Sequence, residues 1–117
     1  MSYITGFLLP VPADKKDAYI ESARKSWPLF QKYGCLEHVE AWGDDIPPGK
    51  VTGFDLAVKL EEGEVVVFSW LRWPDKASAD KCWAGMENDP DFSNMDMPFD
   101  GKRMMYGGFT PLFEAHA

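Results

Sequence analysis

Cysteine is scarce in this sequence: Cys35 and Cys82 are the only two in 117 residues. Far apart in the chain, they match neither a CxxC redox pair nor a zinc-ligand cluster, and they read as buried structural thiols. Long apolar runs are also missing. No stretch approaches the ~20 apolar residues that cross a bilayer, and the start Met1-Ser2-Tyr3-Ile4-Thr5-Gly6 has neither the basic opening nor the apolar run of a secretory signal. A cytoplasmic protein is therefore expected, with both thiols reduced. Positive charge is in deficit, since 12 Lys and Arg face 19 Asp and Glu for a net charge of −7. Such a field repels phosphate backbones and anionic lipid, and Lys15, Lys16, Lys81, Lys102 and Arg103 lie scattered among carboxylates. Neither a nucleic-acid nor a membrane partner is expected. The GxGxxG, Walker A, HExxH and GxSxG motifs are absent, which leaves nucleotide, zinc-protease and serine-hydrolase chemistry without support.

Aromatic residues, by contrast, are abundant: five Trp, eight Phe and four Tyr make up 15% of the chain. The length is that of a single domain. Each such ring buries roughly 150–250 Å², more in sum than a domain of this size hides on its own. A second apolar surface follows, and with it a homodimer.

Tyr3 to Leu9 is an apolar, β-compatible run closed by Pro10 and Pro12. Asp14 is placed to cap a helix, and Tyr19, Ala23, Trp27 and Phe30 follow at helical spacing toward Gly34, with Pro28 predicting a kink or a fresh start. Leu36 to Trp42 alternates as a strand, with His38, Glu40 and Trp42 on one side. After the Pro-Pro-Gly loop of 43–53, Phe54–Leu60 and Val65–Trp73 read as two strands of a hairpin around Glu61-Glu62-Gly63-Glu64. Pro74-Asp75 opens a second helix with Ala79, Cys82, Trp83 and Met86 as its inward stripe, and Asp89-Pro90 stops it. The stretch Asp91–Pro98 is irregular, Asp100-Gly101 signals a turn, and Lys102–Phe109 is a last strand whose Gly107-Gly108 marks a bulge or a close backbone contact.

In the expected hairpin, Phe54, Leu56, Val58, Val67, Ser69 and Leu71 share an apolar face suited to lie under the helices. The other face mixes Asp55, Ala57, Lys59, Val66, Phe68, Trp70 and Arg72. The order is α+β, close to the ferredoxin-like plan of two helices on one face of an antiparallel sheet, with one extra strand: either Leu36–Trp42 or Phe54–Leu60.

Several strings resemble the YbaA-like bacterial family of unknown function. They are Val11-Pro12-Ala13-Asp14-Lys15-Lys16-Asp17-Ala18-Tyr19, Gly49-Lys50-Val51-Thr52, Val66-Val67-Phe68-Ser69-Trp70, and Met97-Pro98-Phe99-Asp100-Gly101-Lys102-Arg103-Met104 with Tyr106-Gly107-Gly108-Phe109. The resemblance implies a dimeric α+β barrel, in which two ferredoxin-like subunits pack sheet to sheet. It implies no activity, cofactor or catalytic residue.

Candidate site residues must therefore come from the residues themselves. His38 and Glu40 put an imidazole and a carboxylate on one strand face, an arrangement for acid–base work. If the Phe54 strand pairs beside them, Asp55 falls opposite Glu40, and one histidine with two carboxylates suits a divalent metal; a polar patch at a strand or dimer edge explains the same residues. No metal or other cofactor is assigned. Trp42, Trp70, Arg72 and Tyr106 are candidate ligand-binding residues, with Asp55, Trp70 and Arg72 as the carboxylate, aromatic wall and cation of a pocket or as an ion pair at a dimer seam. Lys102 and Arg103 either bind an anion or decorate a solvated hairpin tip, and Met95, Met97, Met104 and Met105 fill gaps in the core. The expectation is a small homodimer that binds or converts a small apolar or aromatic molecule beside the sheet, or else a dimer that binds without chemistry or serves structure alone.

Overall fold

The computed structural model describes residues 2–93 and 97–117. Met95 and the centre of the expected irregular stretch lie outside them. Four strands, β1 (Tyr3–Pro12), β2 (Glu37–Trp42), β3 (Glu64–Trp73) and β4 (Met105–Phe109), form one antiparallel sheet in the order β2-β3-β1-β4. Helix α1 (Lys16–Lys32) joins β1 to β2, the short α2 (Phe54–Ala57) lies between β2 and β3, and α3 (Lys76–Met86) and the short α4 (Pro90–Ser93) lie between β3 and β4. This is the ferredoxin-like plan without a surplus strand among the described residues.

The expected Phe54–Leu60 strand does not form. Phe54, Leu56 and Val58 fit a period of two, but Phe54 and Val58 are also one helical turn apart. The Asp55 carboxylate settles the choice by accepting hydrogen bonds from the backbone N–H groups of Gly49, at 3.1 Å, and Leu56, at 2.8 Å. The turn closes at Lys59, whose left-handed φ of 50° a strand would not allow. The place expected for this strand beside β3 is taken by β1, paired from Tyr3↔Trp73 to Pro12↔Glu64. Pro10 and Pro12 thus sit inside the pairing instead of ending it. Because β4 reaches only as far as Leu8, that stretch of β1 has an open side where the missing N–H groups break no ladder bond.

Helix α1 continues through Pro28 to Lys32 instead of restarting there. Pro28 and Arg24, one turn earlier, are both on the exposed face, where water can take the carbonyl left without an N–H. Its start differs from expectation as well: residues Ala13–Lys15 form a 3₁₀ turn, and no side chain caps either element. The C-terminus closes on Gly34 at φ 98°, with the Cys35 N–H donating back to the Phe30 carbonyl. Helix α3 begins as expected, with the Asp75 carboxylate accepting from the Ser78 N–H at 2.8 Å.

The register assigns the faces. Val67, Ser69, Leu71 and Trp73 of β3 are each no more than 2% exposed and lie under the helices, with Trp73 donating from Nε1 to Thr5 Oγ1 at 3.1 Å. Ala79 and Cys82 of α3 are fully buried against this face, and both cysteines are free thiols in the same core cluster. Burial, aided by the nearby Cys35 and Asp89, pushes the Cys82 thiol up to about 12. On the opposite face, the Phe54 ring covers one end, 6.3 Å from the Phe68 ring. The rest lies bare, with Phe68 46%, Met105 46% and Phe109 60% exposed. Strand β4 is shorter than expected, residues Gly101–Arg103 forming a 3₁₀ turn before it. Gly107 and Gly108 stay in register with Gly6 and Thr5, without a bulge. The close approach is at Gly108, where any Cβ would collide with the Tyr3 hydroxyl. No helix among the described residues is long and apolar enough to cross a membrane.

Candidate functional site

The alternation of β2 turns His38, Glu40 and Trp42 toward the helices, in register with Leu71, Ser69 and Val67 of β3. Above them α1 brings Tyr19 and Phe30 across the sheet, and α3 brings Trp83 and Met86. Between these layers lies a partly open chamber of about 150 Å³, bordered also by Phe99 and Met104. A cavity on the order of this size holds a single benzene-sized ring.

One carboxylate organises the polar part of that chamber. Glu40 Oε1 accepts from the Tyr19 hydroxyl at 2.5 Å, and Oε2 accepts from the Ser69 hydroxyl at 2.8 Å and meets His38 Nε2 at 2.6 Å. The imidazole is fixed on its flanks by the edge of Phe30, at 5.4 Å between centroids, and by Trp27, at 6.3 Å. Its side chain is only 8% exposed. An ionised carboxylate only accepts, so in this contact Nε2 is the donor. Burial, and secondly the Glu40 charge, push the Tyr19 phenol far above its ordinary pKa, so it remains a donor. A carboxylate offers about four lone-pair directions. Among the described residues Tyr19, Ser69 and His38 use three of them.

The wall formed by Phe99 and Met104 is held by a single guanidinium. Arg103 donates to both Glu64 oxygens at 2.7 Å, to Asp100 at 2.9 Å and to the Lys59 carbonyl at 3.1 Å. It is therefore occupied by its own chain, which leaves Lys102 as the cation of the anion-binding reading. The Arg103 hydrogen bonds hold the Glu64 and Asp100 carboxyls below the usual carboxylate range, and the Lys32 ammonium, at 2.7 Å, does the same for Asp89. A depressed folded-state pKa stabilises above the unfolded value and is lost as pH falls through the folded one. Urea midpoints are therefore expected to hold above pH ~5 and to fall from pH ~4 downward, the unfolded carboxylate range. Arg103→Met should make that acid-side fall shallower.

Of the residues singled out in the sequence, the structure brings together His38, Glu40 and Trp42. Asp55 is not with them: it is engaged with the 49–56 loop, so the pairing that would set it opposite Glu40 does not exist. No group of three His, Cys, Asp or Glu side chains among the described residues is placed to hold a metal. Trp70 and Arg72 lie on the bare face, where Trp70 Nε1 donates to Glu37 Oε1 at 2.9 Å and Arg72 stands 4.0 Å from the same carboxylate. Tyr106 is 74% exposed on the edge strand and borders a trough of about 530 Å³ on that face instead of the chamber. Two residues of the network, Tyr19 and Ser69, were not legible as such in the sequence. Ser69 carried a signal: a lone hydroxyl between Val67 and Leu71 on an otherwise apolar strand face.

Residues 2–101 match the family model DUF1428, described as a protein of unknown function. The chain is 52% identical over 116 residues to "Uncharacterized protein YbaA" of Escherichia coli (strain K12), covering 97% of this chain and 99% of that one, and equally to its namesake in Shigella flexneri. Among solved structures it is similar to a dimeric ferredoxin-like protein from an uncultured marine organism, with a TM-score of 0.62 at 13% identity over 98% of this chain and 100% of that one. It is also similar to SnoaB, a cofactor-independent oxygenase from Streptomyces nogalater, with a TM-score of 0.53 at 13% identity over 97% and 95% of the two chains. At these identities the two structures speak for the fold.

Proposed function

The chain belongs to the DUF1428 family of proteins of unknown function, and from that premise we propose that it binds a small aromatic or apolar molecule in the chamber between sheet and helices, with His38 and Glu40 exchanging a proton with it. The observation that carries this reading is the Glu40 carboxylate, held by Tyr19, Ser69 and His38 at the wall of a chamber whose other lining is mostly apolar, with Ser22 and Ser26 of α1 as further hydroxyls. In this reading a ligand O–H or acidic C–H meets the Glu40 carboxylate as acceptor and the His38 imidazole as base.

The test is thermal unfolding with phenol and indole. At a tenfold excess over Kd the melting temperature should rise by about 5 °C, and Ala23→Leu, which adds bulk at the chamber wall, should remove the rise. An unchanged wild-type melting temperature contradicts binding. Proton exchange is read separately, as deuterium uptake by an enolisable aryl ketone, expected to be lost in His38→Phe. A melting shift without any uptake would leave a binding protein without chemistry.

The working unit in this reading is a cytoplasmic homodimer joined through the bare sheet face. Two features support the pairing: Phe68, Met105 and Phe109 are exposed side by side over the floor made by Gly6 and Gly107, and a similar fold is described as dimeric. Pairing those faces leaves the chambers on the outer, helix-covered sides, so each subunit carries a complete site.

A further inference from the structure

Glu40 borders more than the inner chamber. A second hollow of about 250 Å³ lies on its outer side, lined by Lys16, Tyr19, Ile20, Glu40, Trp42 and Val67. Three of its features are those of an anion subsite with an aromatic wall. The Lys16 ammonium stands 5.3 Å from the centroid of the Trp42 ring, and among the described residues it makes no ion pair. Four other cations are committed to carboxylates: Arg24 to Glu21, Lys32 to Asp89, Lys76 to Asp80 and Arg103 to Glu64. The indole face of Trp42 supplies a flat apolar wall for a planar group. Glu40, which borders this hollow as well as the chamber, adds an acceptor, and the Tyr19 and Ser69 hydroxyls with the His38 N–H offset the Glu40 charge that would otherwise repel an anion.

Resting on the chamber reading, in which Glu40 is the wall both spaces share, we infer that the outer hollow takes an aromatic acid that also carries a hydrogen-bond donor, its anionic group paired with Lys16, its ring against Trp42 and its donor on Glu40. A neutral ring would satisfy the inner chamber but leave Lys16 unused. A simple aliphatic acid would satisfy Lys16 but neither the indole face nor Glu40.

The probes are 4-hydroxybenzoate, its uncharged amide 4-hydroxybenzamide, and phenol, titrated calorimetrically at low salt into the full-length protein. The acid is expected to bind about tenfold more tightly than the amide, a ratio within reach of one charged hydrogen bond. Lys16→Met should bring that ratio to about one while leaving amide binding within about twofold. Lys25→Met, which removes an exposed cation elsewhere on α1, should keep the ratio and so separates local pairing from net charge. Circular dichroism should show both variants folded, because each position is exposed. Equal affinity for acid and amide, or a preference that survives Lys16→Met, overturns the inference while leaving the chamber reading intact. If none of the three binds, both fall together.

Discussion

Replacing Glu40 with leucine is expected to lower the free energy of unfolding by about 3 kcal/mol. The carboxylate satisfies the Tyr19 and Ser69 hydroxyls and His38 Nε2 at once, and Tyr19 and Ser69 are 8% and 2% exposed. Each buried donor left alone costs roughly 1–3 kcal/mol, so the full sum is larger. Water entering the chamber would recover part of it, which brings the expectation down. In a chain of this length about 3 kcal/mol corresponds to a melting temperature lower by roughly 10 °C or more. Glu40→Gln should cost only about 1 kcal/mol, since one carbonyl oxygen still accepts while the amide N–H₂ confronts the other donors. Urea denaturation of the three proteins checks the order. If leucine proves no worse than glutamine, the network is not what holds this layer together.

A second large effect is expected at the bare sheet face. Phe68→Asp together with Phe109→Asp places two carboxylates per subunit, four per dimer, on a surface that pairing would dry. Burying unpaired charge costs several kcal/mol per group, so the dimer dissociation constant should rise by at least about a thousandfold. Light scattering behind size exclusion should then report a dimer for the wild type and a monomer for the double variant at concentrations of tens of micromolar. The fold should survive, because both rings are already exposed in the single subunit, at 46% and 60%. A wild type that elutes as a monomer would contradict the pairing before any variant is made.

What could be read from sequence was whatever depends on neighbours along the chain. The alternation of Val67, Ser69 and Leu71 gave the helix-facing side of β3, and the spacing of Ala79, Cys82 and Met86 gave the buried stripe of α3, because burial on one face imposes a period. Phe54–Leu60 defeated the same logic. A run of seven with apolar residues at every second position also fits one helical turn, and the decision rested on Asp55 bonding to Gly49, six residues back. Pro10 and Pro12 were misleading for a related reason: whether a proline ends a strand depends on which neighbour lies beside it, and that is set by the sheet order β2-β3-β1-β4.

The site was half legible. His38 and Glu40 share a strand face by simple alternation, yet their partners come from α1 and β3, at sequence separations of 21 residues for Tyr19 and 29 for Ser69. Tyr19 in particular resembled any other member of an apolar helical stripe. Its hydroxyl acquires meaning only when α1 is laid across β2. The pairing of Asp55 with Glu40 failed together with the strand that was to supply it. Trp70 and Arg72 were on the expected mixed face, but that face is the one turned away from the chamber.

The occupancy of the chamber is open to a direct measurement, because methionine methyls report from both sides of the sheet. Met86 and Met104 line the inner chamber, whereas Met105, next in sequence, borders the trough on the opposite face. In a ¹³C-methyl spectrum of methionine-labelled protein titrated with phenol, the Met86 and Met104 signals should move with a common saturation curve while Met105 stays still. A titration in which Met105 moves and Met86 and Met104 do not would place the ligand on the dimer face and contradict the account.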